Sequence, residues 1–460
     1  MFHDEKNGMV RLVGRVVVAL ALAAFTGTLA FAADDAFADK PYMGWTSWSF
    51  YGKSVNMGDV QKQADYMINN LFAYGYTYIN IDSGWRDGVD SCARAKADTS
   101  KFPTGIAGAA TYVHNDANSK TKVTGLKIGI YLVPGIAVSA YDANDMICGT
   151  SYTVRDIAIK SEPGNTLGAG NSDSTYAIDF TKVDANTGKL LGDEYLQTLA
   201  DLVAEWGVDF IKLDFVGPGG GLDGKVNTTL YVQHLHKALQ NNASHRNIWL
   251  ELSNSLNINY AKQWWVPNAN GWRIDGDVER NPLWGRVLTR FTDAPKWAQY
   301  AGPGGWNDLD AVMVGLDKDT PLTETEDQTV FTLWSISCAP LYLGADMTSF
   351  SGKNAGLLPL ITNPEVIAVD QAGHVATPAL GTEGKTQQIW SVQNPDGTYI
   401  VALFNLDSKS DTISVPWAKL GITDTPDVRD LWARKDLGRI ATQYSAEVSS
   451  NGSVLLKVTP

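Results

Sequence analysis

Trp206-Gly207-Val208-Asp209-Phe210-Ile211-Lys212-Leu213-Asp214 is the stretch on which the fold turns. Asp193 to Trp206 reads as a helix, and Gly207 closes it, because glycine takes the left-handed conformation that ends helices. Val208 to Asp214 then reads as a strand with charged residues at its exit. The same unit recurs on both sides. Upstream, Met57 to Tyr74 carries helical spacing and stops before Gly75. Strand-like Tyr76–Asp82 follows, and then Leu126–Leu132. Downstream, a helix over Asn227 to Gln240 precedes a strand over Ile248–Leu252. Next come Trp272–Asp275, a helix near Leu283–Tyr300, a short strand near Gly305–Asp308, a helix over Glu324–Cys338, and Leu341–Gly344. With Met43–Trp48 in front, strands alternate with helices over about 330 residues, which predicts a parallel sheet with crossover helices. Roughly eight repeats suit a (β/α)8 TIM barrel, with a doubly wound open sheet as the alternative. Residues 150–190, rich in Gly, Ser, Asp and Thr, read as a long loop.

Near Gly373 the texture changes. Gln388–Ser391, Thr398–Asn405, Asp411–Val415 and Ser453–Val458 are short alternating runs separated by turn signals such as Asn394-Pro395-Asp396-Gly397. They predict a C-terminal antiparallel β-sandwich of about 85 residues, a packing partner of the barrel. The expected division is 1–32 leader, 33–372 barrel and 373–460 β domain.

The 460 residues are 44% hydrophobic and 19% charged, enough for a large core and unlike a disordered chain. Fifty acidic against 37 basic residues give a net charge of −13. That balance excludes a nucleic-acid binder, which needs a basic face, and disfavours an anionic membrane surface. Arg11 and Arg15 precede the apolar run Val16 to Ala24, and Ala30-Phe31-Ala32 offers small residues for cleavage. This is the pattern of a secretory signal peptide, so the mature protein is expected to be secreted or periplasmic and not membrane-bound. A retained N-terminal anchor is the other reading, and the run is short for a membrane span. The three cysteines, Cys92, Cys148 and Cys338, allow at most one internal bridge. No histidine spacing suggests zinc.

Barrel enzymes build their sites at the C-terminal ends of the strands. The polar residues there are Trp48, Asp82, Tyr131, Lys212 with Asp214, Glu251, Arg273 with Asp277, and Asp308 with Asp310. Carboxylates accept hydroxyl hydrogen bonds and indoles stack on sugar C–H faces, so the set suggests a sugar site. Lys212 and Asp214 lie two apart on one strand and share a face. The ammonium favours an ionised carboxylate, as a nucleophile requires; a structural ion pair reads equally well from spacing alone. Asp277, four residues past Arg273, is a candidate proton donor, although Asp275 or Asp277 could instead cap a helix.

These residues resemble glycoside hydrolase family 27, the α-galactosidase family. The resemblance rests on Met43-Gly44-Trp45-Thr46-Ser47-Trp48, Tyr78-Ile79-Asn80-Ile81-Asp82, Gly125-Leu126-Lys127-Ile128-Gly129-Ile130-Tyr131, the Trp206–Asp214 stretch, and Gly302-Pro303-Gly304-Gly305-Trp306-Asn307-Asp308. Leu333 to Pro340 and Asn363 to Gln371 also look familial. The resemblance implies a retaining double displacement on a carbohydrate with no metal or organic cofactor. It puts the nucleophile on Asp214 and the acid/base on Asp277. It puts sugar contacts on Trp48, Asp82, Tyr131, Lys212, Glu251 and Arg273. Cys92 and Cys148 follow the second and third strands at the same end, where they either bridge or remain thiols.

Two departures stand near the sugar. Family α-galactosidases usually carry two consecutive Asp residues after the second strand, and this chain has Asp82-Ser83. After Tyr131 stand Leu132-Val133-Pro134-Gly135, where the family often has a small residue and an Asp. The expectation is therefore an α-galactosidase. The same mechanism on another sugar, as in isomalto-dextranases or β-L-arabinopyranosidases, is the alternative, and a non-catalytic sugar-binding protein is a more distant one. Gly219 to Lys225 imitates a phosphate loop but continues with Val226, so the magnesium-binding hydroxyl is missing. Of fifteen tryptophans, Trp48 is expected at the site, with Trp85, Trp265 and Trp306 as further candidates.

Overall fold

The computed structural model describes residues 36–116, 125–164, 174–220, 225–279, 283–316 and 321–460. The expected signal peptide and residues 221–224 of the glycine-rich loop lie outside these. Eight parallel strands form one sheet in chain order: β1 Met43–Thr46, β2 Tyr78–Ile81, β3 Lys127–Leu132, β4 Phe210–Leu213, β5 Trp249–Leu252, β6 Gly271–Arg273, β7 Trp306–Asp308 and β8 Leu341–Leu343. β8 pairs with β1, and a parallel bridge between Val312 and Leu343 joins the exit of β7 to β8. Val312 N–H donates to Tyr342 O at 2.7 Å and Gly344 N–H to Val312 O at 3.0 Å, which closes the barrel.

Side-chain size sets the interior. Tyr42 meets the rings of Tyr78, Phe210 and Trp249 edge-on, with centroids 5.3, 5.0 and 5.2 Å away. This aromatic plug fills the N-terminal half of the barrel, and such edge-on pairs add to the area they bury. A Cβ on Gly129 of β3 would lie 2.2 Å from Asn80 Oδ1 and 2.7 Å from Phe210 Cδ1, so only glycine leaves room for the plug. Outside the strands, the helix Met57–Asn70 turns Val60, Ala64 and Met67 inward and is capped by Asn56, in a reciprocal pair with Asp59.

The C-terminal module has a six-stranded antiparallel sheet and a two-stranded one, Asp411–Pro416 with Gln443–Val448. Alternation gives the larger sheet two buried faces. Ile389, Val401, Leu403 and Leu456 pack with Ile413 and Val415 in the sandwich core. Trp390 and Phe404, on the other face, meet Phe291 of the barrel helix Leu283–Trp297 at 6.1 and 4.9 Å. Thr332, on the helix Glu324–Ile336, bonds Ser453 Oγ at 2.9 Å. The module is thus a packed wall of the barrel.

One expectation is corrected. Residues 150–190 are not simply a loop: Ala158–Pro163 and Thr175–Ile178 pair antiparallel, and Ile136–Ala137 joins them as a third strand. The strands are short, and Ala158–Pro163 is largely exposed, so apolar alternation is weak there. Their partner lies well upstream, where no local pattern reports it. Cys92 and Cys148 form a disulfide with Cα atoms 5.2 Å apart, which ties this excursion to the loop after β2.

Candidate active site

Parallel register assembles the site. Lys212 stands opposite Tyr131 on one side and Glu251 on the other, and Arg273 opposite Asp308. These side chains share a level at the C-terminal mouth because neighbouring strands are in step. Lys212 Nζ donates to Asp82 Oδ2 at 2.7 Å. Burial pulls its pKa down, but the carboxylates of Asp82 and Asp214 outweigh this and leave it above the ordinary lysine value. Asp82 is also held by Ser47, whose Oγ accepts the Asp82 N–H at 2.9 Å. Asp214 leaves β4 half-buried, its N–H bonded to Leu132 O at 2.9 Å. Phe215, the next residue, has φ +56°, a conformation uncommon for a bulky residue and frequent where a chain is bent to serve a site.

Arg273 is 4% exposed and lies between two carboxylates. Nη2 donates to Asp277 Oδ1 at 2.6 Å, and Nη1 lies 3.5 Å from Asp310 Oδ1. Asp275, two residues before Asp277, is held apart from Arg273. It pairs with Arg290 Nη1 at 2.6 Å and accepts from Thr289 Oγ1, so its role is structural. Glu251 accepts from Trp249 Nε1 at 2.8 Å through Oε2. A Cβ on Gly271 would lie 1.9 Å from that oxygen, so the glycine makes its berth. Glu251 Oε1 and Arg273 Nε are buried and have no hydrogen-bond partner among the described residues.

The mouth is crowded with acid: Asp82, Asp214, Glu251, Asp277, Glu279, Asp308 and Asp310 face two cations, Lys212 and Arg273. Some of these carboxyls must stay protonated near neutral pH. Burial, then repulsion from Asp308, pushes Glu251 well above the usual carboxylate range. Burial and Asp310 push Asp308 to about 6. Tyr342 Oη donates to Asp308 at 3.0 Å. Among the described residues, Asp277, Glu279 and Asp310 bring oxygens within 4.8 Å of one another, a spacing that could hold a cation; Arg273 already supplies positive charge there.

The structure therefore brings together all eight residues expected from the sequence. Tyr131 closes β3 at the level of Lys212, and Trp48 follows β1 at the start of a short helix. Trp85, Trp265 and Trp306 do not join them. Each is fully buried, with its indole N–H donated to a backbone carbonyl: Tyr131 O, Asn257 O and Ala38 O. Sequence reading missed Glu279, whose Oε1 accepts from Trp48 Nε1 at 2.9 Å. Its one signal was the spacing Asp275, Asp277, Glu279, which places a third acid in the same loop.

Known proteins resemble this chain over most of its length. The family described as Alpha galactosidase A matches residues 40–146 and 184–372, and the Alpha galactosidase C-terminal beta sandwich domain matches 384–458. The unmatched stretch, 147–183, holds most of the three-stranded excursion. An α-galactosidase of Coffea arabica is 31% identical over 91% of this chain and 94% of its own, and one of Oryza sativa is 29% identical over 91% and 85%. A solved β-L-arabinopyranosidase of the same family, from Geobacillus stearothermophilus, superposes with a TM-score of 0.80 at 29% identity, covering 92% of this chain and 97% of its own. An α-galactosidase structure from Mortierella vinacea shares the fold, with a TM-score of 0.68 at 24% identity over 93% of this chain and 98% of its own. A closed barrel, a paired set of carboxyls at its mouth and a matching β-sandwich converge on one conclusion: the chain belongs to glycoside hydrolase family 27 and is a glycoside hydrolase of the α-galactosidase type.

Proposed function

We propose that the protein is an exported α-galactosidase that releases terminal α-galactose by double displacement. The observation that carries this reading is the pairing at the mouth: Lys212 on Asp82 at 2.7 Å, two residues before Asp214, and Arg273 on Asp277 at 2.6 Å. Asp214 attacks the anomeric carbon through a carboxylate oxygen. The glycosidic C–O bond breaks, and Asp277 gives its proton to the leaving oxygen. Water then attacks the same carbon, Asp277 takes its proton, and the bond to Asp214 breaks. Two inversions retain the anomeric configuration. Asp82 and Lys212 bind sugar hydroxyls, while Glu251, Tyr131 and Trp48 form the walls. The leader with Arg11 and Arg15 supports export, and the Cys92–Cys148 bond suits an oxidising compartment.

Ser83 favours a second reading on the same machinery. The serine beside Asp82 lacks the second carboxylate that the family's α-galactosidases use to hold sugar hydroxyls. β-L-Arabinopyranose has the galactose configuration without the C6 hydroxymethyl group and asks less of that position. Hydrolysis of aryl α-galactoside, aryl β-L-arabinopyranoside, aryl α-glucoside and an α-1,6-glucan separates the readings. Fast release from the α-galactoside that Asp214→Asn abolishes is the expected result. Preference for the arabinoside or the glucan would move the sugar assignment and keep the mechanism. Binding without turnover on all four would leave a sugar-binding protein.

A further inference from the structure

β6 ends at Arg273, and Ile274 N–H still bonds Asp308 O of β7 at 3.0 Å. Asp277 stands beyond that bond, on irregular backbone that no sheet ladder places. A group that must hand a proton to the leaving oxygen has to be held to within about 0.5 Å. Backbone groups in such a loop need partners, and side chains of other elements supply them. Gly276 O accepts from Arg290 Nη2. The peptide joining Asp277 to Val278 is gripped at both ends. Its carbonyl accepts from Arg286 Nε at 3.3 Å, and its N–H is donated to Asp310 Oδ2 at 2.8 Å.

The second grip is the shorter, and Asp310 is itself fixed and buried. Its N–H is donated to Asp308 Oδ1 at 2.7 Å, and its carbonyl accepts from Trp334 Nε1 at 2.7 Å. Its φ is +81°, a left-handed conformation that is uncommon outside glycine. Its Oδ1 accepts from Ala311 N–H at 2.8 Å and lies 3.5 Å from Arg273 Nη1, whose Nη2 donates to Asp277. Asp310 thus reaches Asp277 by two routes, through the backbone and through the guanidinium. We infer that Asp310 is a positioning residue for the proton donor: it latches the loop after β6 to the loop after β7 and so aims the Asp277 carboxyl at the leaving oxygen. The inference rests on the reading of Asp277 as acid/base given above.

A misplaced proton donor leaves a signature that a weakened fold does not. A leaving group that departs unaided needs little protonation, and a poorer one depends on it. The test compares kcat/KM on the 2,4-dinitrophenyl and phenyl glycosides of the sugar that wild type cleaves fastest. Their ratio is independent of the folded fraction of a preparation. Asp310→Ala should lower the phenyl value about 30-fold and the dinitrophenyl value less than about fivefold. In an Asp277→Ala background, the same substitution should change the phenyl value less than about twofold, because the group it positions is gone. Leu403→Val, in the sandwich core, should lower the melting temperature and leave the ratio alone. If Asp310→Ala does not fold, Asp310→Asn keeps the volume and is read by the same ratio in the same two backgrounds. An unchanged ratio in a folded Asp310 variant overturns the inference, and so does a loss that persists in full without Asp277. A wild-type ratio in Asp277→Ala alone would instead sink the acid/base reading on which the latch depends.

Discussion

The two ends of β4 carry aspartates five residues apart that are served in opposite ways. At the N-terminal end, Asp209 has every oxygen engaged. Oδ2 accepts from Ile128 N–H at 2.9 Å and lies 2.7 Å from His114 Nε2, and Oδ1 pairs with Arg246. At the C-terminal end, Asp214 sits among carboxyls that outnumber their cations. The first arrangement satisfies its charges and locks β4 to β3, to the helical turn Tyr112–Asp116 before β3 and to the loop before β5. The second keeps buried charge and unbonded polar atoms, which costs stability and suits a transition state that develops positive charge on the sugar. Barrel folds separate stability from chemistry along the strand axis in this way.

Substitutions at the two ends should break along that division. Asp214→Asn should lower kcat on an aryl α-galactoside by about 10³-fold or more, with the melting temperature unchanged within a degree. A large loss of melting temperature would blur the contrast. Asp209→Ala should do the reverse, costing about 3 kcal/mol in denaturant unfolding while specific activity of the folded fraction persists. Cys92→Ser opens the bridge that ties the excursion to the mouth. Its 56-residue separation implies a loss of about 2–4 kcal/mol, read by the same unfolding curves. Ser83→Asp adds a carboxylate beside Asp82. It should raise the ratio of α-galactoside to β-L-arabinopyranoside kcat/KM about tenfold, and an unchanged ratio would remove position 83 from sugar choice.

The smallest effect is on pH. Glu279 and Asp308 have folded pKa values raised to about 7 and about 6, above their unfolded values. The native state therefore holds protons that the unfolded chain has released, and stability falls as pH rises from the unfolded values through the folded ones. Melting temperature should decline between about pH 4.5 and 7, and Glu279→Gln should flatten the decline by about 1–2 °C. A steeper decline in the variant would contradict this sign.

Regular repetition made the barrel legible. Each helix-glycine-strand unit buries its own apolar face, so periodicity reports it locally, and the polar residue at each strand exit marks the mouth. Residues 43–48, 76–82 and 206–214 carried most of that reading, and Trp48, Asp82, Lys212 and Asp214 lay at those exits. The excursion over 158–178 was illegible because its pairing is long-range and its strands are polar. Spacing alone did not divide the roles of Asp275 and Asp277, although the family resemblance put the acid/base on Asp277. Both follow Arg273, and only the packing of the helix Leu283–Trp297, which brings Arg290 to Asp275, leaves Asp277 at the mouth.

By itself, the sequence determined the alternation of elements, the acidic character of the chain and the chemical types available at the strand ends, because these depend on side chains and their spacing. Tertiary structure alone decided which charges meet. Lys212 finds Asp82 across 130 residues, and Trp48 finds Glu279 across 231. Such pairs follow from barrel closure and strand register, which place distant residues at one level, and the ionisation of each depends on neighbours that no local window contains.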